Sequence, residues 1–400
     1  GYTMIMAETS LGRMTKKSPV GAYQSFGKSK WLSLGGWINA IIPILIVPYY
    51  SVIGGWVIKY LIGYFSGQAQ TLASDTYFSA FISNGASTEI CFIVFTFCTL
   101  GIIYAGVQNG IERVSKFMMP VLVVLSVIIA IYSVTRPGAL EGVKYFLVPN
   151  PANFSWMTVV SAMGQMFYSL SIAMGILVTF GSYMLKDMSI EDSTQNVEIF
   201  DTAIAIMAGL MIIPAVFAFS GGDPDALNAG PSLMFITIPK MFESMGLSTV
   251  VGILFFTLVL FAALTSSIAL TESAVSTFED EFGWGRKKST IILGGIMIVL
   301  GSLSSFGYGP LGSIKIIGMQ FLDFFDFLTN SVMMPIAAFA TCILVSKIIG
   351  LKKIEEEVLH GEGTFRRKKI FNFMIKYLCP LFAAIILLSS IANAFGWITI

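Results

Sequence analysis

The oxygen-bearing side chains that could do chemistry lie inside stretches that are otherwise apolar. The run Phe261–Leu270 (FAALTSSIAL) puts Ala262, Thr265, Ser266 and Ala269 on one side of a helix by i, i+3, i+4, i+7 spacing. A hydroxyl pair with carbonyls nearby can coordinate a hard cation such as sodium, which wants several oxygens and imposes no ligand-field geometry. The competing role is hydrogen bonding back to the same helix. Glu272, seven residues after Thr265, shares that face. It is either an acceptor for an ion or proton moving along the same pathway, or one half of a salt bridge.

A second polar centre lies in Ser161–Tyr183 (SAMGQMFYSLSIAMGILVTFGSY), where Ser169, Ser171 and Gly175 crowd the middle of an apolar run. Small hydroxyl residues can satisfy backbone groups freed where a membrane helix is interrupted, and such breaks line cavities. The alternative is a small-residue face for helix packing. Asp201 opens the apolar run Thr202–Gly222. An intramembrane carboxylate is a functional candidate because burying it unpaired is costly, and a solvated N-cap is the competing account. In Gly110–Pro120 (GIERVSKFMMP) a glycine and a proline bracket one polar turn. That combination lets a helix unwind, although a simple interfacial turn has the same residues.

The elements that must position these groups are membrane helices. Of the 400 residues, 55% are hydrophobic and only 12% charged, against roughly a quarter charged in soluble domains. Nine apolar runs are long enough to span a bilayer: Trp31–Ile58, Cys91–Gly110, Phe117–Thr135, Ser155–Leu185, Thr202–Gly222, Ser244–Thr271, Ser289–Ser313, Phe327–Ser346 and Tyr377–Ile400. Gly1–Gly12 reads as the end of a tenth. Basic residues are sorted by loop: Arg13, Lys16, Lys17, Lys28, Lys30, Arg113, Lys116, Lys186, Arg286, Lys287, Lys288, Lys347, Lys352, Lys353, Arg366, Arg367, Lys368 and Lys369 fall on one side, with only Lys59, Arg136, Lys144, Lys240 and Lys315 on the other. The first side is cytoplasmic by the positive-inside rule. The longest inner loop, Lys347–Lys369, reads as a solvated, partly helical face. Trp31–Ile58 and Ser244–Thr271 exceed what a vertical helix needs and should tilt; paired long helices in corresponding positions suit an inverted repeat. Cys91, Cys98, Cys342 and Cys379 show no CxxC spacing and read as packing thiols, and His360 is the sole histidine. These features argue against a metal or triad enzyme, and nothing points to nucleic acid.

Taken in order, the segments resemble the neurotransmitter:sodium symporters, in particular the bacterial eleven-helix amino-acid transporters. GYTMIMAETSLGR, with Glu8 and Arg13, is similar to the end of that family's second helix, PYYSVIGGW to its third, GQMFYSLSIAMG to its broken sixth, LTSSIAL and FEDEF to its eighth and FLDFFDF to its tenth. GPSLMFITIPKMF resembles the outer loop before the eighth helix, and Gly110 with Pro120 the Gly-X9-Pro pattern of the fifth. The resemblance implies an all-α, polytopic, inverted-repeat transporter with broken helices: a partial second helix plus helices 3–11, residues 1–400 forming one N-terminally truncated transmembrane domain.

The resemblance also implies roles. Ile46 and Tyr50, Tyr168, Ser169, Ser171 and Met174, and Ser266 and Leu270 would line a substrate pocket, with Tyr50 on the substrate carboxylate and Tyr168 as an aromatic lid. One sodium ion would rest on Ser169 and Asp201, a second on the Ala262 carbonyl with Thr265 and Ser266, with further ligands from the first helix. Asp326 near Gln165 would gate the outside, Asp280 and Tyr183 the inside, and Gly110–Pro120 would open a path for ion release. Asp201 stands where the family commonly has Asn, and its fixed negative charge makes chloride unnecessary. Met174 and the uncharged walls favour a hydrophobic or aromatic L-amino acid. The expected function is sodium-coupled uptake across a bacterial cytoplasmic membrane, with proton coupling on the same fold, or a non-transporting amino-acid sensor, as alternatives.

Overall fold

The computed structural model describes residues 1–227, 230–361 and 363–397. These residues are almost entirely helical; among them the only strand-like pairing is a single bridge between Ile316 and Met319. In hydrocarbon every backbone N–H and C=O must be satisfied within its own segment, so apolar runs of this length fold as helices.

The spanning and flanking helices are α1 (Tyr2–Thr15), α2 (Lys30–Phe65), α3 (Gly85–Tyr104), α4 (Val107–Val134), α5 (Trp156–Ser169), α6 (Ile176–Tyr183), α7 (Ile190–Ser220), α8 (Ser248–Phe282), α9 (Arg286–Phe306), α10 (Phe321–Ile349), α11 (Leu351–Leu359) and α12 (Lys368–Ala394). All nine expected spans are present, and Ser155–Leu185 is the one divided in two, as α5 and α6. The Tyr377–Ile400 span begins earlier, at Lys368, and its last three residues lie outside the described residues. At 36 and 35 residues, α2 and α8 are each over 50 Å long at about 1.5 Å per residue. That is well beyond a hydrocarbon core of about 30 Å.

These two helices form the most extensive pair in the bundle. The most apolar window of α2 is 67% buried inside the protein and that of α12 only 17%, so α2 is the central post and α12 a peripheral helix. Small residues set the close approaches. A Cβ on Gly12 of α1 would stand 2.0 Å from the Val178 carbonyl oxygen of α6, and one on Gly181 would stand 2.5 Å from the Thr9 carbonyl oxygen. The backbones of α1 and α6 therefore touch with no side chain between them.

Two expectations need correction. The Lys347–Lys369 loop is not simply a solvated face: Ile354, Glu357 and Val358 of α11 are buried. Arg13 Nε donates to Glu357 Oε1 at 2.7 Å and its Nη1 to the Met188 carbonyl at 2.5 Å. A buried guanidinium needs such partners, and it draws one side of α11 under α1. Of the four cysteines, all free, Cys98 is exposed on α3 rather than packed inside.

Candidate functional site

The chain between α5 and α6 departs from helix because three residues in quick succession take left-handed backbone: Ser171 (φ 54°), Ala173 (φ 59°) and Gly175 (φ 72°). For the two that carry a Cβ this costs about 1–2 kcal/mol each, so other contacts must hold the turn. Glu8 of α1, fully buried, accepts the Ala173 N–H on Oε1 at 2.9 Å. Gly175 is needed twice over, for its φ and because a Cβ there would meet Pro19, the Asn39 carbonyl and Ser273 Oγ within about 3 Å.

A cavity of about 330 Å³ opens at this break, within the roughly 300–1,000 Å³ range of small-molecule sites. Tyr168, Ser169, Ser171 and Met174 line it from the broken helix, Tyr50 from α2, and Thr265, Ser266, Ala269 and Leu270 from α8. Residues drawn from three separated apolar runs thus meet around one void. Ile46 does not: it is fully buried and absent from the cavity wall. Four residues before Tyr50 puts it on the same helix face, but that turn is sealed in the core.

The oxygens gather as their chemistry requires. Ser169 Oγ donates to Asp201 Oδ1 at 2.5 Å. Asp201 lies well inside α7 rather than at its start, and the helix is capped by Ser189, whose Oγ accepts the Asp192 N–H. The N-cap account of Asp201 is therefore overturned. Thr265 Oγ1 bonds back to the Phe261 and Ala262 carbonyls at 3.0 and 2.9 Å, so the Ala262 carbonyl already engages a hydroxyl. Of the two roles weighed for this pair, back-bonding is observed for Thr265; Thr265 and Ser266 also line the cavity.

The residues expected at the two mouths are held by separate contacts. Asp326 accepts from Tyr49 Oη at 3.1 Å and Asn330 Nδ2 at 2.6 Å, while Gln165 is exposed on α5 without a hydrogen bond to it. Asp280 Oδ2 accepts the Ser18 N–H at 2.5 Å, fixing the short helix Pro19–Gln24. Tyr183 Oη instead donates to Glu272 Oε1 at 2.6 Å, and Arg286 forms a two-pronged pair with the same carboxylate. Glu272 is fully buried, so of its two roles the salt bridge is the one observed. Gly110 sits in a π-helical turn over Val107–Glu112, and Pro120 is interior to the helix that follows. The Gly110–Pro120 stretch is wound here, with the proline leaving the Lys116 carbonyl without its usual partner.

Sequence reasoning missed Met119 and Ile176 as wall residues and the contact of Glu8 with Ala173. For Met119 a signal existed, since it immediately precedes the helix-interrupting Pro120.

A bundle of long apolar helices, one of them interrupted around a polar cavity, is the build of a multi-pass membrane transporter of the inverted-repeat kind. Residues 64–396 match the sodium:neurotransmitter symporter family, and the chain belongs to that family; it is a sodium-dependent transporter and not an enzyme. It is similar to the uncharacterised sodium-dependent transporter YhdH of Bacillus subtilis, at 34% identity over 400 residues covering 98% of this chain and 87% of that protein. A sodium-dependent transporter of Haemophilus influenzae is 29% identical over 406 residues, covering 98% and 87% respectively. Among solved structures, that of MhsT in complex with L-phenylalanine matches with a TM-score of 0.86 at 34% identity, covering 98% of this chain and 88% of that one.

Proposed function

We propose that this transporter carries a hydrophobic or aromatic L-amino acid inward across a bacterial cytoplasmic membrane together with two sodium ions, without chloride. The observation that carries the reading is the Ser169–Asp201 contact at the helix break, opening onto the same cavity as Thr265 and Ser266. Broken-helix ends present backbone dipoles to the charged end of a substrate, and Tyr50 and Ser266 line the same void. The remaining wall, with Met119, Met174, Ile176, Ala269 and Leu270, holds no charged side chain. Adaptable methionines there suit bulky apolar groups, in keeping with the phenylalanine bound to MhsT.

Ser169 and Asp201 would hold one sodium ion, and Thr265 and Ser266 with the Ala262 carbonyl would contribute to the second. The Asp201 carboxylate supplies the negative charge for which an anion would otherwise be needed. Alternation then moves cation charge down a potential worth about 2.3 kcal/mol per charge at 100 mV. The test is uptake of radiolabelled phenylalanine, tryptophan and leucine into proteoliposomes. Accumulation should require a sodium gradient and persist when gluconate replaces chloride. Uptake driven equally by a proton gradient in sodium-free buffer would defeat the coupling assignment, and loss of uptake without chloride would defeat the anion assignment.

A further inference from the structure

Outside the substrate cavity, a groove of about 760 Å³ runs between the first turns of α2 and the latter half of α10. It exists because Gly35 and Ala340 are small: a Cβ on Gly35 would stand 3.5 Å from the Ala340 Cβ and would collide with the Tyr23 ring behind. The walls are Trp31, Leu34 and Ile38 from α2 and Ile336, Phe339 and Ile343 from α10. Its mouth is of opposite character, with Lys28 and Ser29 on the rim and Lys30 beginning α2.

Lys28 and Lys30 are exposed, and neither takes part in an ion pair among the described residues. This contrasts with the basic cluster of Arg366, Arg367 and Lys368, each paired with a carboxylate. Trp31 is 80% exposed at the same level, the position of a side chain anchored at a membrane–water interface. Because the basic loops lie on the cytoplasmic side, the mouth opens at the inner leaflet.

We infer that the groove is a binding site for an anionic phospholipid of the cytoplasmic leaflet, with the phosphate at Lys28 and Lys30 and one acyl chain lying between α2 and α10. Charge and shape argue together: an apolar slot ending in unpaired cations matches a lipid with a negative head and a hydrocarbon tail. A second copy of this chain fits poorly. A twofold contact through this face would set the lysines of one copy close to those of the other.

The test uses the transporter in nanodiscs of phosphatidylcholine containing increasing phosphatidylglycerol brominated on its acyl chains. Quenching of Trp31 is obtained by difference from Trp31→Phe. Each lysine near the surface contributes about fivefold to anionic-lipid binding, so Lys28→Gln with Lys30→Gln should raise the half-saturating phosphatidylglycerol fraction about 25-fold. Ala340→Phe, which fills the groove floor, should abolish the saturable quenching; if that variant does not fold, the exposed lysine pair still decides. Equal quenching by brominated phosphatidylcholine, indifference to the lysine substitutions, or groove-to-groove cross-linking that excludes the lipid would each overturn the assignment.

Discussion

The contact between Glu8 and the Ala173 N–H gives the sharpest prediction, because it ties the substrate cavity to a helix that does not line it. Ser171 and Ala173 both hold left-handed backbone, together about 2–4 kcal/mol of unfavourable conformation. The carboxylate hydrogen bond to Ala173 offsets about 1.5–3 kcal/mol of this. Glu8→Ala removes that offset, and the turn relaxes toward ordinary helix, drawing Ser169, Ser171 and Met174 out of register with Ser266 and Leu270. Substrate affinity should fall about 10- to 150-fold, at tenfold per 1.4 kcal/mol. Glu8→Gln keeps an acceptor oxygen of the same reach and should lose only about half of that free energy, about 3- to 12-fold in affinity, a charge-assisted bond being roughly twice as strong as a neutral one. The assay is equilibrium binding of labelled substrate in saturating sodium, with a thermal melt alongside to show that the bundle remains folded. Parental affinity in Glu8→Ala, or equal losses in both variants, would refute the strained-turn account.

Pro120→Ala restores the hydrogen bond to the Lys116 carbonyl and adds about 3 kcal/mol of helix preference to a stretch proposed to unwind. Inward sodium release should slow at least tenfold in a stopped-flow assay, and an unchanged rate would remove this stretch from the release path. Arg286→Gln leaves the fully buried Glu272 with Tyr183 alone and should cost about 3–5 kcal/mol of unfolding free energy, read as a lowered denaturation midpoint. The double change Arg286→Met with Glu272→Met should recover most of the loss, and a single variant as stable as the parent would contradict the buried pair. Met174→Phe shrinks a cavity of about 330 Å³ and should shift competition for uptake from tryptophan toward leucine by about tenfold, roughly the value of a methylene or two in an apolar pocket. An unchanged preference order would place Met174 away from the substrate side chain.

Hydrophobic run length and the sorting of basic loops carried nearly all of the architecture, because the bilayer leaves a segment such as Arg286–Phe306 no alternative to helix. The break was legible too, from the small and hydroxyl residues between Ser169 and Gly175. What pattern alone could not supply were pairings between distant segments: Arg13 with Glu357, Glu8 with Ala173, and Arg286 with Glu272 and Tyr183. Arg13, Glu357 and Arg286 by themselves look like ordinary loop or interfacial charges, and nothing in the spacing of Glu8 or Glu272 names a partner. The burial of α11 was available in principle, since Ile354 and Val358 are one turn apart, but the surrounding charges masked it. Ile46 lies off the cavity wall for the opposite reason: helical spacing fixes a face, not the depth at which a void opens along it.

The contact of Gly12 and Gly181 with the opposing backbone has a mechanical consequence. Packed helices usually slide by repacking side chains in small steps, and at these two glycines the seam has none to repack. A tilt of the inner half of the broken helix would therefore press on α1 backbone to backbone at Gly12 and Gly181, beside Arg13 and its bond to α11. The cytoplasmic loop is thus joined through α1 to the half-helix whose Ile176 bounds the cavity.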